Sequence, residues 1–366
     1  MDAPGPLEKE IRRRIAAAGP MPVDRYMALC LADPEHGYYT TRDPLGARGD
    51  FITAPEISQM FGELIGLWMT AIWKQMGAPG QVRIVELGPG RGTLMKDALR
   101  AAEVVPGFND AALVHLVEIS PVLKAQQQRT LEHRTMPIHW HPTIEDVPEG
   151  PTIVIANEFF DALPIHQAVK SQTGWHQRQI GIDGDGKLCF NVADDPLPHF
   201  GRLLPPALRD APEDSIFEWR ADAAAIDLGR RVGKHGGAAL VIDYGHAESA
   251  IGDTLQAVGQ HAYADPLTTP GYIDLTAHVD FQPLMRAAEV MGTNAFGPIE
   301  QSLFLRRLGI ETRAATLKAK ATRAIGAGID AALARLIGHG RTGMGALFKA
   351  AALTHPSIGV PPGFEN

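Results

Sequence analysis

Val82-Arg83-Ile84-Val85-Glu86-Leu87-Gly88-Pro89-Gly90-Arg91-Gly92-Thr93 is a short apolar run that stops at an acidic residue and passes into a glycine-rich turn. The run reads as a buried strand, and Leu94 to Ala102 behind the turn as the helix that follows it. Three alternating glycines let the backbone turn tightly and approach a ligand where a Cβ would clash. The helix N-terminus behind them offers free N–H groups and the positive end of the helix dipole. The spacing is G-x-G-x-G, because Thr93 stands where the dinucleotide-binding G-x-G-x-x-G has its last glycine. Glu86, just ahead of the first glycine, puts a carboxylate where a cationic or amine-bearing ligand would be held. The plain alternative for this stretch is an ordinary strand–turn–helix junction with no ligand.

The chain around it has 366 residues, enough for one large domain or a domain with a substantial insertion. A hydrophobic content of 45% and a charged content of 21% describe an ordinary globular protein. The net charge of −8 gives no general attraction to nucleic acid or to an anionic membrane. Cys30 and Cys189 stand far apart, which excludes a disulfide framework and a cysteine-based zinc site. No apolar run approaches the ~20 residues that a membrane span needs. The opening Met1-Asp2-Ala3-Pro4-Gly5-Pro6 shows neither a signal peptide nor a transit segment, so a cytoplasmic protein is expected.

Working outward, residues 7–18 and 23–31 read as helices, and a helix is expected to run from within Gly49–Glu63 to about Met76. Trp68 and Trp73 on it read as core. The polar loop ahead of it, with Asp50, Thr53, Pro55 and Glu56, is expected to cover the ligand site. Downstream, Ala112 to Val117 forms a second strand ending at Glu118, an acid placed to accept hydrogen bonds from ribose hydroxyls. Asp146 is a candidate for facing an adenine amino group. A fourth strand, 151–156, runs into Asn157-Glu158-Phe159-Phe160-Asp161-Ala162-Leu163-Pro164. In a doubly wound sheet the ends of strands 1 and 4 flank the ligand crevice, so Asn157, Glu158 and Asp161 should sit at the reacting group. Paired acids with aromatic neighbours can hold a cation there; helix capping would account for one of the three.

Residues 165–236 read as an insertion, with strands His166–Ile182 and Lys187–Val192 joined through Asp183-Gly184-Asp185-Gly186 and a helix from about Trp219 to Lys234. The core resumes with the apolar run Ala238 to Ile242. His278 and Asp280 lack a third ligand, so no metal site is expected. From Arg306 to Lys349 there are nine Lys or Arg against two acids on an Ala- and Leu-rich, helical background. The expected organisation is a helical region over 1–78, a core made of 79–164 and 237–309, a substrate domain over 165–236, and a basic helical extension over 310–366.

The glycine turn with its flanking acid resembles motif I of class I S-adenosylmethionine (SAM) methyltransferases. Together with Gly49–Gln59, Asn157–Pro164 and Asp274–Phe281 it resembles the MidA family of SAM-dependent methyltransferases over most of the chain, from Tyr26 to about Gly309. The resemblance implies a class I α/β fold with a seven-stranded, mostly parallel sheet, and SAM held by Glu86, Gly88, Gly90, Gly92, Glu118 and Asn157. It implies catalysis through Glu158, Asp161 and Asn157. Mitochondrial members of the family act in respiratory complex I assembly. A protein-arginine methyltransferase making symmetric dimethylarginine on a complex I core subunit is therefore implied, in the cytoplasm of a bacterium or the mitochondrial matrix of a eukaryote. Two competitors remain at this point. One is an amino-methyltransferase of nucleic acid or a small molecule, although the Asn/Asp-Pro-Pro-aromatic run that binds a flipped base is replaced here by Asn157-Glu158-Phe159-Phe160. The other is a SAM-binding assembly factor without turnover.

Overall fold

The computed structural model describes residues 4–41, 52–259, 262–340 and 342–365. Its central sheet has seven strands in one path: β1 (Val82–Leu87), β2 (Ala112–Val117), β3 (Ile138–His141), β4 (Thr152–Asn157), β5 (Gly237–His246), β6 (Asn294–Glu300) and β7 (Phe348–Thr354). They lie side by side in the order β3-β2-β1-β4-β5-β7-β6. The first five are parallel, and β7 runs antiparallel to both neighbours.

Alternate residues of each strand face opposite layers, as the two-residue repeat of a strand requires. Ile84, Ile153, Ile155, Leu240 and Ile242 pack with the helices Gln59–Gln75 and Thr93–Ala102 on one face. Val85, Val154, Ala239 and Val241 pack with Ala223–His235 and Phe281–Glu289 on the other. Burial on both faces is why these strands read as unbroken apolar runs. Trp68 and Trp73 are core, 1% and 7% exposed. The chain winds from β1 out through β2 to β3 and then returns to the other side of β1 with β4. This reversal opens a crevice at the carboxyl ends of β1 and β4, where α/β sheets bind ligands.

A second lobe covers that crevice. Its main sheet places Met21–Pro22, Gly174–Ile182, Ile165–Ser171 and Ile216–Arg220 in that order, and Leu188–Pro196 also pairs with Gly174–Ile182. A three-stranded sheet of Ala262–Ala264, Gln256–Gly259 and Asp274–Thr276 joins it. The helices Pro6–Ala18 and Val23–Ala32 share one apolar cluster with both. The lobe therefore draws on three parts of the chain and not on 165–236 alone.

The other expected boundaries change as well. Ala223–His235 is a helix of the core, and Ile216–Arg220, where a helix was expected to begin, is a strand. The stretch 310–366, read as a helical extension, supplies β7, which sits between β5 and β6. Ala350, Ala351, Ala352 and Leu353 are at most 1% exposed, so small side chains suit a strand pressed between two layers of helices. The same alanines carry high helix propensity, and tertiary burial overrides it here.

At the far edge of the sheet His115 of β2 packs against His139 and His141 of β3, with ring centroids 5.3 and 5.1 Å apart. Its Nδ1 shares a hydrogen bond with His141 Nε2 at 2.9 Å, and its buried Nε2 has no partner. Burial, then the neighbouring His141, His139 and Arg83, pushes His115 down to about 4. Unfolded, the imidazole takes a proton near its ordinary value, so the unfolded chain binds the proton first as pH falls. Stability tied to neutral His115 is complete above ~6.5 and is lost on descending toward 4. Denaturant titrations at pH 7.5 and 4.5 should show the wild type losing on the order of 2–3 kcal/mol more than His115→Gln. Equal losses in the two proteins would contradict this.

Candidate active site

The glycine turn closes the first wall of the crevice. Gly88, Gly90 and Gly92 all have positive φ (58°, 53° and 79°), a region that side-chain-bearing residues rarely adopt. Gln127, fully buried in the helix Pro121–Leu131, reaches back across it. Its Nε2 donates to the Gly90 carbonyl at 2.7 Å and to Glu118 Oε2 at 3.0 Å, while its Oε1 accepts from Trp140 Nε1 at 2.9 Å. Glu118 also accepts from the Ser120 amide at 2.7 Å. One glutamine thus fixes the ends of β1 and β2 relative to each other.

Glu86 is 3% exposed, and its Oε2 has no hydrogen-bond partner. Burial, helped by nearby Glu118, pushes its carboxyl up to about 8; burial raises Glu118 too, partly offset by the Ser120 amide and Gln127. A buried acid with an unsatisfied oxygen is short of a donor or a cation. The amino group of an amino-acid ligand supplies both.

The second wall follows β4. Glu158 holds a left-handed backbone (φ 49°), a conformation costing ~1–3 kcal/mol for a residue other than glycine. Its amide donates to the Ile242 carbonyl, and its Oε1 accepts from the Ala54 amide at 2.9 Å and from Asn157 Nδ2 at 3.2 Å. Burial raises its carboxyl to about 7, with the Ala54 amide opposing and neighbouring Asp161 adding to the rise. Asp161 is 6% exposed, its Oδ1 has no partner, and burial raises it as well.

What holds this turn was not foreseen from the sequence. Asp243 Oδ2 accepts from the amides of Phe159, Phe160 and Asp161 at 3.2, 2.9 and 3.2 Å. Arg220 donates to the carbonyls of Asp161, Leu163, Ala277 and His278 at 2.6–3.2 Å. Asp243 had a legible signal, an acid at the end of an apolar run like Glu86 and Glu118. Arg220 and Gln127 had none.

The covering segment bridges the two walls. Pro55 and Glu56 begin the short helix Ala54–Ile57, with Thr53 as its N-cap. Glu56 accepts from Thr93 Oγ1 at 2.5 Å and lies 4.0 Å from Arg91, so it grips the glycine turn while the neighbouring Ala54 amide touches Glu158. Asp50 lies outside the described residues. Asp146, the candidate for facing an adenine, accepts from the amide and hydroxyl of Thr143 and does not line the cavity, whereas its neighbour Glu145 does.

Between the walls is a cavity of about 1180 Å³ lined by Glu86, Gly88, Gly90, Glu118, Asn157, Glu158, Asp161, Thr53, Pro55 and Glu56. Gly92 stands just behind it as the N-cap of Thr93–Ala102. Small-molecule sites are usually ~300–1,000 Å³, so this one has room for a nucleoside ligand and a second group. Among the described lining residues acids outnumber bases: Glu56, Glu86, Glu118, Glu145, Glu158, Asp161, Asp227 and Asp274 against Arg91 and Arg335. The lining favours cations. Among the described residues no helix is long and apolar enough to cross a membrane.

Residues 64–299 match Methyltransf_28, a family model of S-adenosyl-L-methionine-dependent methyltransferases. A Drosophila melanogaster protein named protein arginine methyltransferase NDUFAF7 homolog, mitochondrial, is 41% identical over 347 residues, covering 87% of this chain and 78% of the relative. The Homo sapiens protein arginine methyltransferase NDUFAF7, mitochondrial, is 38% identical over 334 residues, covering 84% and 74%. A Burkholderia thailandensis crystal structure holding S-adenosyl-homocysteine superposes with a TM-score of 0.84 at 27% identity, covering 99% of this chain and 97% of that one. By the matched model and by relatives of this identity and coverage, the chain belongs to the family of S-adenosyl-L-methionine-dependent methyltransferases.

Proposed function

We propose that this protein transfers methyl groups from SAM to arginine side chains of a protein substrate. The observation that carries the reading is the chemistry of the two walls: a glycine turn with buried Glu86 and half-buried Glu118 on one, half-buried Glu158 and buried Asp161 on the other, and a cation-favouring cavity between. When bound, SAM supplies a methyl group on a positively charged sulfur. The Gly88, Gly90 and Gly92 backbone would face it closely, Glu86 would accept from its amino group, Glu118 would hold the ribose hydroxyls, and Asn157 would line the methyl channel.

The acceptor chemistry falls to the second wall. Arginine stays protonated in neutral water, its pKa lying above ~12, so the attacking nitrogen must shed a proton as the new N–C bond forms. Glu158 and Asp161 would orient the planar guanidinium with charge-assisted hydrogen bonds, and Glu158 would take that proton. Asp243 and Arg220 keep the turn rigid, which matters because the chain's main contribution is alignment. The lobe over the crevice is assigned to substrate binding and the seven-stranded sheet to the class I methyltransferase core. Symmetric dimethylation is the expected product, and a respiratory complex I subunit is the first target to examine.

Incubating the purified protein with radiolabelled SAM and a cell lysate, with and without nuclease, tests the substrate class. Label retained in protein after nuclease treatment is expected. Label lost with nuclease would replace the reading with nucleic-acid methylation, and no label in any fraction would leave a SAM-binding protein without turnover.

Glu118 gives a narrower check. Glu118→Ala removes charge-assisted hydrogen bonds worth roughly 1.5–3 kcal/mol. Calorimetry should show SAM and S-adenosyl-homocysteine weakened together, by about tenfold or more, since both carry the same ribose. A loss confined to SAM would place Glu118 beside the sulfonium.

A further inference from the structure

Two residues of the second lobe reach the acidic end of the cavity, and no step above uses them. Asp274 begins the strand Asp274–Thr276 and is 3% exposed. Tyr39 lies on the short helix Tyr38–Thr41 at the other end of the lobe's sequence. The Tyr39 hydroxyl donates to Asp274 Oδ2 at 2.9 Å, and both residues line the cavity with Glu158 and Asp161. Tyr39 also feels both carboxylates: burial first, then Asp274 and Asp161, pushes its hydroxyl well above its ordinary value. The phenol is thus bonded to the acid of the lobe, and the acid of the core bears on it electrostatically. On the core side the buried Asp161 Oδ1 has no hydrogen-bond partner.

We propose that Asp274, oriented by the Tyr39 hydroxyl, is the carboxylate with which the lobe grips the acceptor guanidinium, together with Glu158 and Asp161 of the core. The proposal rests on the arginine reading above and adds the residue that selects the acceptor. A guanidinium is a planar fork with five N–H donors and can bond to acids on two sides at once, whereas a lysine ammonium is a compact point charge. A site to which both the core and the lobe contribute acids suits the fork. It also gives the lobe a role, since Asp274 and Tyr39 both belong to it and the glycine turn does not. Asp274 is thus a substrate-binding residue, and Tyr39 a positioning residue acting through it.

The test compares wild type, Asp274→Asn and Tyr39→Phe, using radiolabelled SAM and nuclease-treated lysate protein as acceptor. Asp274→Asn should raise the KM for lysate protein at least tenfold and change the maximal rate less than threefold, with S-adenosyl-homocysteine affinity unchanged. Tyr39→Phe, which keeps the ring and loses only the hydroxyl, should raise the same KM three- to tenfold. Unchanged S-adenosyl-homocysteine affinity shows that the core is folded in each variant. A KM within twofold of wild type in both variants would overturn the proposal, as would a loss confined to the maximal rate. Label found by amino-acid analysis on a residue other than arginine would instead sink the function reading, and that failure is read independently of the KM.

Discussion

Glu158→Gln is expected to slow methyl transfer about a hundredfold, roughly 2.7 kcal/mol of barrier, while SAM affinity stays at the wild-type level. The substitution keeps the size of the side chain and an oxygen that can still accept from the Ala54 amide and Asn157. What it removes is the charge that faces the guanidinium and the base that takes its proton. The pH profile separates this from a packing defect. With its carboxyl near 7, free Glu158 is protonated in mild acid, so kcat/KM for the acceptor should rise through about pH 7 and then level off. In Glu158→Gln that rise should disappear. A variant methylating protein at the wild-type rate, with the wild-type profile, would move the base elsewhere on the cavity wall.

Gly90→Val should abolish cofactor binding by at least a hundredfold and leave the fold largely intact. Gly90 has φ 53°, which a β-branched residue adopts only under strain, and its carbonyl is the group Gln127 holds. Relaxing that strain would pull the turn away from Gln127, and through Gln127 from Glu118. The binding edges of β1 and β2 would then lose their alignment together. Calorimetry with S-adenosyl-homocysteine, beside a circular dichroism melt, checks it; tight binding by a folded Gly90→Val protein would show that the ligand lies away from the turn.

How much of this was legible in the chain depended on how local the signal was. The strands β1 and β4 and the glycine turn are spelled out in consecutive residues, because a strand buried on both faces must be apolar throughout. The candidate residues on both walls, Glu86, Glu118, Asn157, Glu158 and Asp161, follow from their places at strand ends. The structure brings them to one cavity. β7 was hidden because Phe348-Lys349-Ala350-Ala351-Ala352-Leu353-Thr354 carries helix-forming alanines, and only the helix layers above and below explain their small size. The lobe was legible only in its 165–236 part, because Met21–Pro22 joins the strand Gly174–Ile182 from far away in the chain, a pairing that leaves no local trace. Arg220, Gln127 and the Tyr39–Asp274 pair are the same case, each defined by a partner distant in sequence.

The central claim is that the second wall of the cavity is an arginine site. Its most direct measurement is amino-acid analysis of protein labelled by this enzyme from radiolabelled SAM, after complete acid hydrolysis. The label is expected to elute with methylated arginines and to fall about a hundredfold in Glu158→Gln. Label eluting with methylated lysine, histidine or glutamine, or persisting undiminished in Glu158→Gln, would contradict the claim.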